Sequence, residues 1–238
     1  MPSVPAPAEP PDFAAAFAVA DRIGGWLTRE QARVLWDEAH RVAPAGLIVE
    51  IGSHQGRSTV LLAAAGAPVV AIDPFVSGAM FGGLATKDRF VANLATAGVS
   101  ERVRLRQAKS TELRPGWADP IDFLYIDGKH DYWTVSDDLR WAAFLQPGAR
   151  IAIHDAFSSI GVTLGLLRHV LPGRRLRYLD RTGSLARFEV AVPSGADRLR
   201  MLAELPWWLR NVAIKILLRL KLFPLARLAG HRDRADPY

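Results

Sequence analysis

The stretch Leu47-Ile48-Val49-Glu50-Ile51-Gly52-Ser53-His54-Gln55-Gly56-Arg57-Ser58 decides the fold. An apolar run of strand length ends in an acid, passes through a loop punctuated by Gly52 and Gly56, and enters a helical stretch near Ser58 to Ala65. That is a strand–turn–helix unit. Working outward, further strand-length apolar runs occur at Val69 to Ile72, Ile121 to Ile126 and Ile151 to Ile153, with Val103 to Leu105 a weaker one. They alternate with helical stretches near Lys87 to Ala97, Thr134 to Leu145 and Ile160 to Leu171. The alternation predicts an α/β fold with a doubly wound, mostly parallel sheet and helices on both faces. After Pro172, Arg175 to Asp180 and Leu185 to Val192, separated by Arg181-Thr182-Gly183-Ser184, read as an antiparallel hairpin closing one sheet edge.

Before the first strand, Phe13, Phe17 and Ala20, then Ala32, Leu35 and Ala39, fall at helical spacing. The second of these helices is opened by Thr28 with Gln31 three residues on, a capping-box pattern. The chain of 238 residues is 50% hydrophobic and has no cysteine, which excludes disulfides, Cys-ligated zinc, iron–sulfur clusters and a thiolate nucleophile. The organisation expected is a disordered proline-rich leader at 1–11, one domain with its helical preface at 12–195, and a basic amphipathic tail at 196–238.

The net charge of +6 is unevenly placed, since Arg210, Lys215, Arg219, Lys221 and Arg227 lie between Pro206 and Gly230 with no acid among them. Removing those five leaves +1 for the rest, too little for a nucleic-acid partner to be expected. From Trp207 to Leu222 the helical circumference is mostly apolar, with Asn211, Lys215 and Arg219 as a narrow polar stripe. Peripheral contact of residues 206–230 with an anionic membrane surface is one expectation, with Trp207 and Trp208 at the interface. Packing on the chain's own domain or on a second copy in a homo-oligomer is the other. The expected location is the cytoplasm, at the inner membrane surface if the first reading holds.

The acids sit at strand ends: Glu50 before Gly52, Asp73 after Ile72, Asp127 after Ile126, and His154-Asp155 after Ile153. In an open parallel sheet, ligands bind in the crevice beyond these ends. Four strands are therefore expected to deliver acids to one crevice, where a cation or hydroxyl groups would partner them. A dinucleotide fingerprint starting at Gly52 would need glycines where this chain has His54 and Arg57, so no pyrophosphate cradle is provided. What remains suits a nucleoside without phosphates, its ribose hydroxyls on Asp73, and a donor bearing sulfonium and ammonium groups. Residues 74–86, glycine-rich and apolar, read as a lid at the rim.

Glu50-x-Gly52-x-x-x-Gly56 followed by Asp73 resembles the cofactor motif of class I S-adenosylmethionine-dependent methyltransferases, and the strand pattern with its terminal hairpin is similar to their seven-stranded sheet. The resemblance implies S-adenosylmethionine as cofactor, held by Glu50, Gly52, Gly56 and Asp73, with Ser53 and Ser58 at its carboxylate and Ser110 near its adenine. Asp127-Gly128-Lys129-His130-Asp131-Tyr132, then His154-Asp155, resembles the branch containing macrolide-sugar and aminocoumarin-sugar O-methyltransferases and cephalosporin-hydroxylase-like proteins. That branch implies magnesium (Mg2+) held by Asp127, His154 and Asp155, and a sugar, glycan, glycolipid or glycosylated natural product as acceptor. His130, expected to be mostly neutral near pH 7, is the candidate catalytic base. The alternative is a membrane-associated binding or assembly protein that keeps the fold without turnover.

Overall fold

The computed structural model describes residues 12–77 and 83–231. The expected leader at 1–11 and the centre of the expected lid, 78–82, lie outside them. In chain order the elements are α1 (Phe13–Ala20), α2 (Arg29–His40), β1 (Ile48–Ile51), α3 (Arg57–Ala64), β2 (Val69–Ile72), α4 (Leu84–Thr96), β3 (Val103–Arg106), α5 (Ser110–Leu113) and β4 (Ile121–Ile126). They continue with α6 (Tyr132–Asp138), β5 (Leu145–Ile153), α7 (Ile160–Gly165), β6 (Leu176–Thr182), β7 (Leu185–Val190), α8 (Gly195–Leu202), α9 (Leu205–Arg219) and α10 (Phe223–Leu228).

The seven strands form one sheet in the order β3-β2-β1-β4-β5-β7-β6. The first five pair in parallel, and β7 is antiparallel to both β5 and β6. β1 and β2 are buried along their whole length, as strands covered on both faces must be. The chain fills one side of the sheet from β1 to β3 and then returns to lay β4 against the other side of β1, which makes the β1/β4 junction the switch point. Register does the rest. Ile51 pairs with both Ile72 and Ile126, and Ile126 pairs with Ile153. The next residue on each strand, Gly52, Asp73, Asp127 and His154, therefore emerges in one row.

The structure differs from the expected elements in four places. The hairpin turn is two residues, Gly183-Ser184, because Arg181 and Thr182 stay in the ladder opposite Ala186 and Leu185, with Gly183 supplying a left-handed φ of +57°. β5 starts at Leu145, where the sequence showed no strand, since residues 146–148 on its first half are exposed and carry no apolar signature. The helices expected over 134–145 and 160–171 each change winding midway, to a 3-10 stretch at Leu139–Phe144 and to wider turns at Leu166–Val170.

The preface is integral to the domain. Phe17, Ala20, Leu35, Trp36 and Ala39 join the core formed with α3 and one face of the sheet. The capping box at Thr28 and Gln31 is present. Glu38 of α2, 3% exposed, is paired with Arg187 of β7 at 2.6 Å. Removing the cation would leave a buried carboxylate short of its partner, so Arg187→Met is expected to lower stability by about 3 kcal/mol. Adding Glu38→Leu should restore most of that loss, as read from urea midpoints.

Candidate active site

The loop after β1 is held by two carboxylates. Asp73 Oδ2 accepts the amides of Ser53 (3.0 Å) and His54 (2.9 Å), while its Oδ1 accepts the amide of Phe75 (2.7 Å). Glu50, fully buried, accepts Ser58 Oγ at 2.5 Å and the Thr59 hydroxyl. Burial outweighs these hydroxyl donors and pushes the Glu50 carboxyl up to about 7. Gly52 has φ +89°, and a Cβ on it would lie 2.2 Å from the Asp127 carbonyl oxygen, so only glycine lets β1 and β4 hand over at this point. Gly56, also at φ +89°, opens α3 without a side-chain cap.

Expecting four acids to face one crevice therefore needs correction. One residue before the strand end, Glu50 is pointed by strand alternation beneath α3 and does not line the cavity. Asp73 lines it, with its oxygens engaged by backbone amides.

Beyond β4 and β5 the structure brings Asp127, His130, His154 and Asp155 together. His130 Nδ1 lies 2.8 Å from Asp155 Oδ2 and its Nε2 lies 3.5 Å from Asp127 Oδ1. The Nδ1 of buried His154 lies 3.3 Å from Asp127 Oδ1, and its Nε2 faces Gln31 Oε1 at 3.4 Å. Tyr125, fully buried, donates its hydroxyl to Asp127 Oδ2 at 3.0 Å, and Ser158 Oγ donates to Asp155 Oδ1 at 3.0 Å. Burial works against charge here, but the pairing prevails. The two histidines hold Asp127 well below the usual carboxylate range, and Asp155 is lowered for the same reason. Asp127 and Asp155 raise His130 to about 10, and His154 is also raised.

One expectation changes accordingly. Gripped by two carboxylates, His130 is held toward its protonated form, whereas its role as base was expected to rest on a neutral ring. Asp127, His154 and Asp155, expected to hold magnesium, stand close together in histidine–carboxylate pairs. Among the described residues no group of three or more His, Cys, Asp or Glu side chains is arranged to hold a metal ion. The two carboxylates suit a hard cation in kind, but the imidazolium now meets their charge.

A cavity of about 660 Å³ joins these parts, within the range of small-molecule sites. It runs from Gly52, Ser53 and Ser58 past Asp73 and Phe75 to Ser110, and on to Asp127 and His130. Sequence reasoning missed Asp138, which is 1% exposed, accepts the Ser110 hydroxyl, and is raised to about 6 mainly by burial. Asp138 lines the cavity, and its Oδ2 is buried without a hydrogen-bond partner. Sequence reasoning also missed Trp26, 77% exposed on that wall, whereas Trp133, equally exposed there, stands where the sequence reading allowed it to border an acceptor pocket. Gln31 was read only as a helix cap, although its side chain also reaches His154 and Ser184. A lone acid inside a helix and an isolated tryptophan give no spacing signal.

Residues 49–156 match the family model described as a methyltransferase domain. The matched stretch runs from Val49, within β1, to the residue after Asp155 and so contains every strand end just described. The architecture of the chain is the class I fold of the S-adenosylmethionine-dependent methyltransferases. Similar solved structures include the O-methyltransferase from Bacillus cereus in complex with SAH (21% identity, covering 77% of this chain and 93% of that one, TM-score 0.56). The O-methyltransferase TomG from Streptomyces achromogenes, involved in tomaymycin synthesis and bound to SAM, is another (18% identity, 75% and 89% covered, TM-score 0.56). Cofactor-bound Rv0187 from MTB is a third (22% identity, 74% and 88% covered, TM-score 0.57). At these identities the likeness establishes the fold.

Among the raised groups, Glu50 and His130 give the domain a signed pH dependence across the neutral range. Folded Glu50, at about 7 against 4.5, and folded His130, at about 10 against 6.5, keep protons that the unfolded chain has already released. Stability is thus expected to fall as pH rises, through Glu50 in the lower window and His130 in the upper. Urea midpoints at about pH 5, 7 and 9 should decline in that order, with Glu50→Gln flattening the first interval and His130→Gln the second.

Proposed function

We propose that the chain transfers the methyl group of S-adenosylmethionine to a hydroxyl of a sugar, glycan, glycolipid or glycosylated natural product. The observation that carries this reading is the single cavity that places a glycine-turn binding loop and a cluster of proton-handling side chains on one wall. S-adenosylmethionine supplies the methyl group on a sulfonium cation. The uncapped first turn of α3 offers amide donors to its carboxylate, and Ser58 stands in that turn. Asp73 keeps one lone pair, on Oδ1, for a ribose hydroxyl beside the three amides it already accepts. The unpartnered Oδ2 of Asp138 accepts from an amino group of the donor.

The protonated state of His130 belongs to the ligand-free cavity. A cationic donor in the same cavity opposes a second positive charge and drives the imidazolium toward its neutral form. His130 then takes the acceptor's hydroxyl proton while Asp155 fixes its ring through Nδ1. The oxygen forms a bond to the methyl carbon as the sulfur–methyl bond breaks, its electron pair staying on sulfur. The products are a methyl ether, S-adenosylhomocysteine and protonated His130.

Magnesium assistance is the second reading, favoured by the convergence of Asp127 and Asp155 around His130. Those carboxylates would hold the ion, with His154 behind them, and its charge would lower the hydroxyl's pKa.

The test is calorimetric titration with S-adenosylmethionine followed by a methyl-transfer assay over vicinal-diol sugars. Asp138→Asn is expected to weaken donor binding about tenfold. His130→Gln, by removing the imidazolium that opposes the donor's charge, should bind the donor at least as tightly as the wild type and lower kcat by roughly a hundredfold or more. No heat on titration defeats the proposal, and heat without turnover on any acceptor favours a binding protein. Loss of activity with EDTA and recovery with magnesium assigns Asp127 and Asp155 to the ion, whereas an unchanged rate leaves proton removal to His130.

A further inference from the structure

The tail reverses the arrangement its sequence suggested. The first part of its polar stripe faces inward: Asn211, fully buried, donates to the Phe157 carbonyl at 3.1 Å, and Lys215 Nζ donates to the Ser158 carbonyl at 2.8 Å. Ile214 is fully buried beside them. Trp207 and Trp208 pack against the core on the α6–α7 side of the sheet, and Arg181 stacks over the Trp207 ring at 3.8 Å. Both tryptophans, expected at a lipid interface, are thus taken up by the domain. Arg210 ties the end of α10 back to α9 through the Ala229 and Gly230 carbonyls.

What remains outside is apolar and cationic together. Leu220, Phe223, Leu225 and Leu228 are each at least half exposed on the segment running from the end of α9 through α10. Arg219, Lys221 and Arg227 are exposed among them, and among the described residues no carboxylate pairs with any of the three. No described helix is long and apolar enough to cross a membrane.

We propose that this face docks on an anionic bilayer surface, its leucines and Phe223 entering the headgroup–acyl boundary while Arg219, Lys221 and Arg227 meet lipid phosphates. Charge chooses the occupant. A two-fold contact with a second copy would set these cations against their own images, in a segment from Pro206 to Gly230 that contains no acid to relieve them. A negatively charged lipid surface neutralises them and covers the hydrocarbon at the same time. The proposal stands independently of the methyl acceptor.

The test is co-sedimentation of the full chain with phosphatidylcholine vesicles, with and without phosphatidylglycerol. Truncating the tail would remove buried Asn211 and Ile214, so surface substitutions are the cleaner probe. The wild type is expected to pellet with the anionic vesicles only, and less so as salt is raised. The triple variant Arg219→Gln, Lys221→Gln, Arg227→Gln should partition about a hundredfold more weakly. Phe223→Ser with Leu228→Ser should also lose binding, and both variants should keep the wild-type melting midpoint. The proposal is overturned by a chain that stays in the supernatant, by equal pelleting on neutral vesicles, or by variants that bind as the wild type does. It is equally overturned by a concentration-dependent dimer that Phe223→Ser with Leu228→Ser dissolves, which would make a second copy the occupant.

Discussion

Everything at this site depends on how closely the chain leaving β1 passes the chain leaving β4. At Gly52 there is no room for a side chain, since a Cβ would sit 2.2 Å from the Asp127 carbonyl oxygen. That contact brings the binding loop against the segment carrying Asp127 and His130, and the parallel register sets Asp73 and His154 in the same row. A bulkier residue at 52 would separate the two halves of the cavity, so the loop after β1 and the histidine–carboxylate cluster could not share one wall.

The acids reached by this geometry have three different tasks, set by what surrounds each. Glu50, sealed beneath α3, keeps the loop in shape through two hydroxyls. Asp73 spends most of its accepting capacity on amides. Asp127 and Asp155 face histidines and stay ionised. A carboxylate at a strand end is therefore an incomplete description, because burial and the neighbouring donors decide whether it shapes the backbone, meets a ligand or tunes another group.

The α2 helix and the tail reach the same place from opposite ends of the chain. Gln31 contacts His154, while Asn211 and Lys215 hold the carbonyls of Phe157 and Ser158, just past Asp155. Asp155 and Phe157 both adopt left-handed φ values, +53° and +58°, and the tail's hydrogen bonds restrain that bent segment. Segments outside the βα repeat thus brace the end of β5.

The sequence by itself determined the order of strands and helices, the terminal hairpin and the glycine turn, because apolar period, turn residues and missing side chains are local signals. It also located the strand-end positions 73, 127, 154 and 155, since a parallel sheet aligns its carboxyl ends. Only the tertiary structure decided which way Glu50 turned, that His130 was caught between two carboxylates, that Asp138 reached the cavity, and which side of α9 faced inward. These outcomes depend on partners far away in sequence, such as Gln31 and Ser184, or Asn211 and Phe157, and on desolvation that no local pattern encodes.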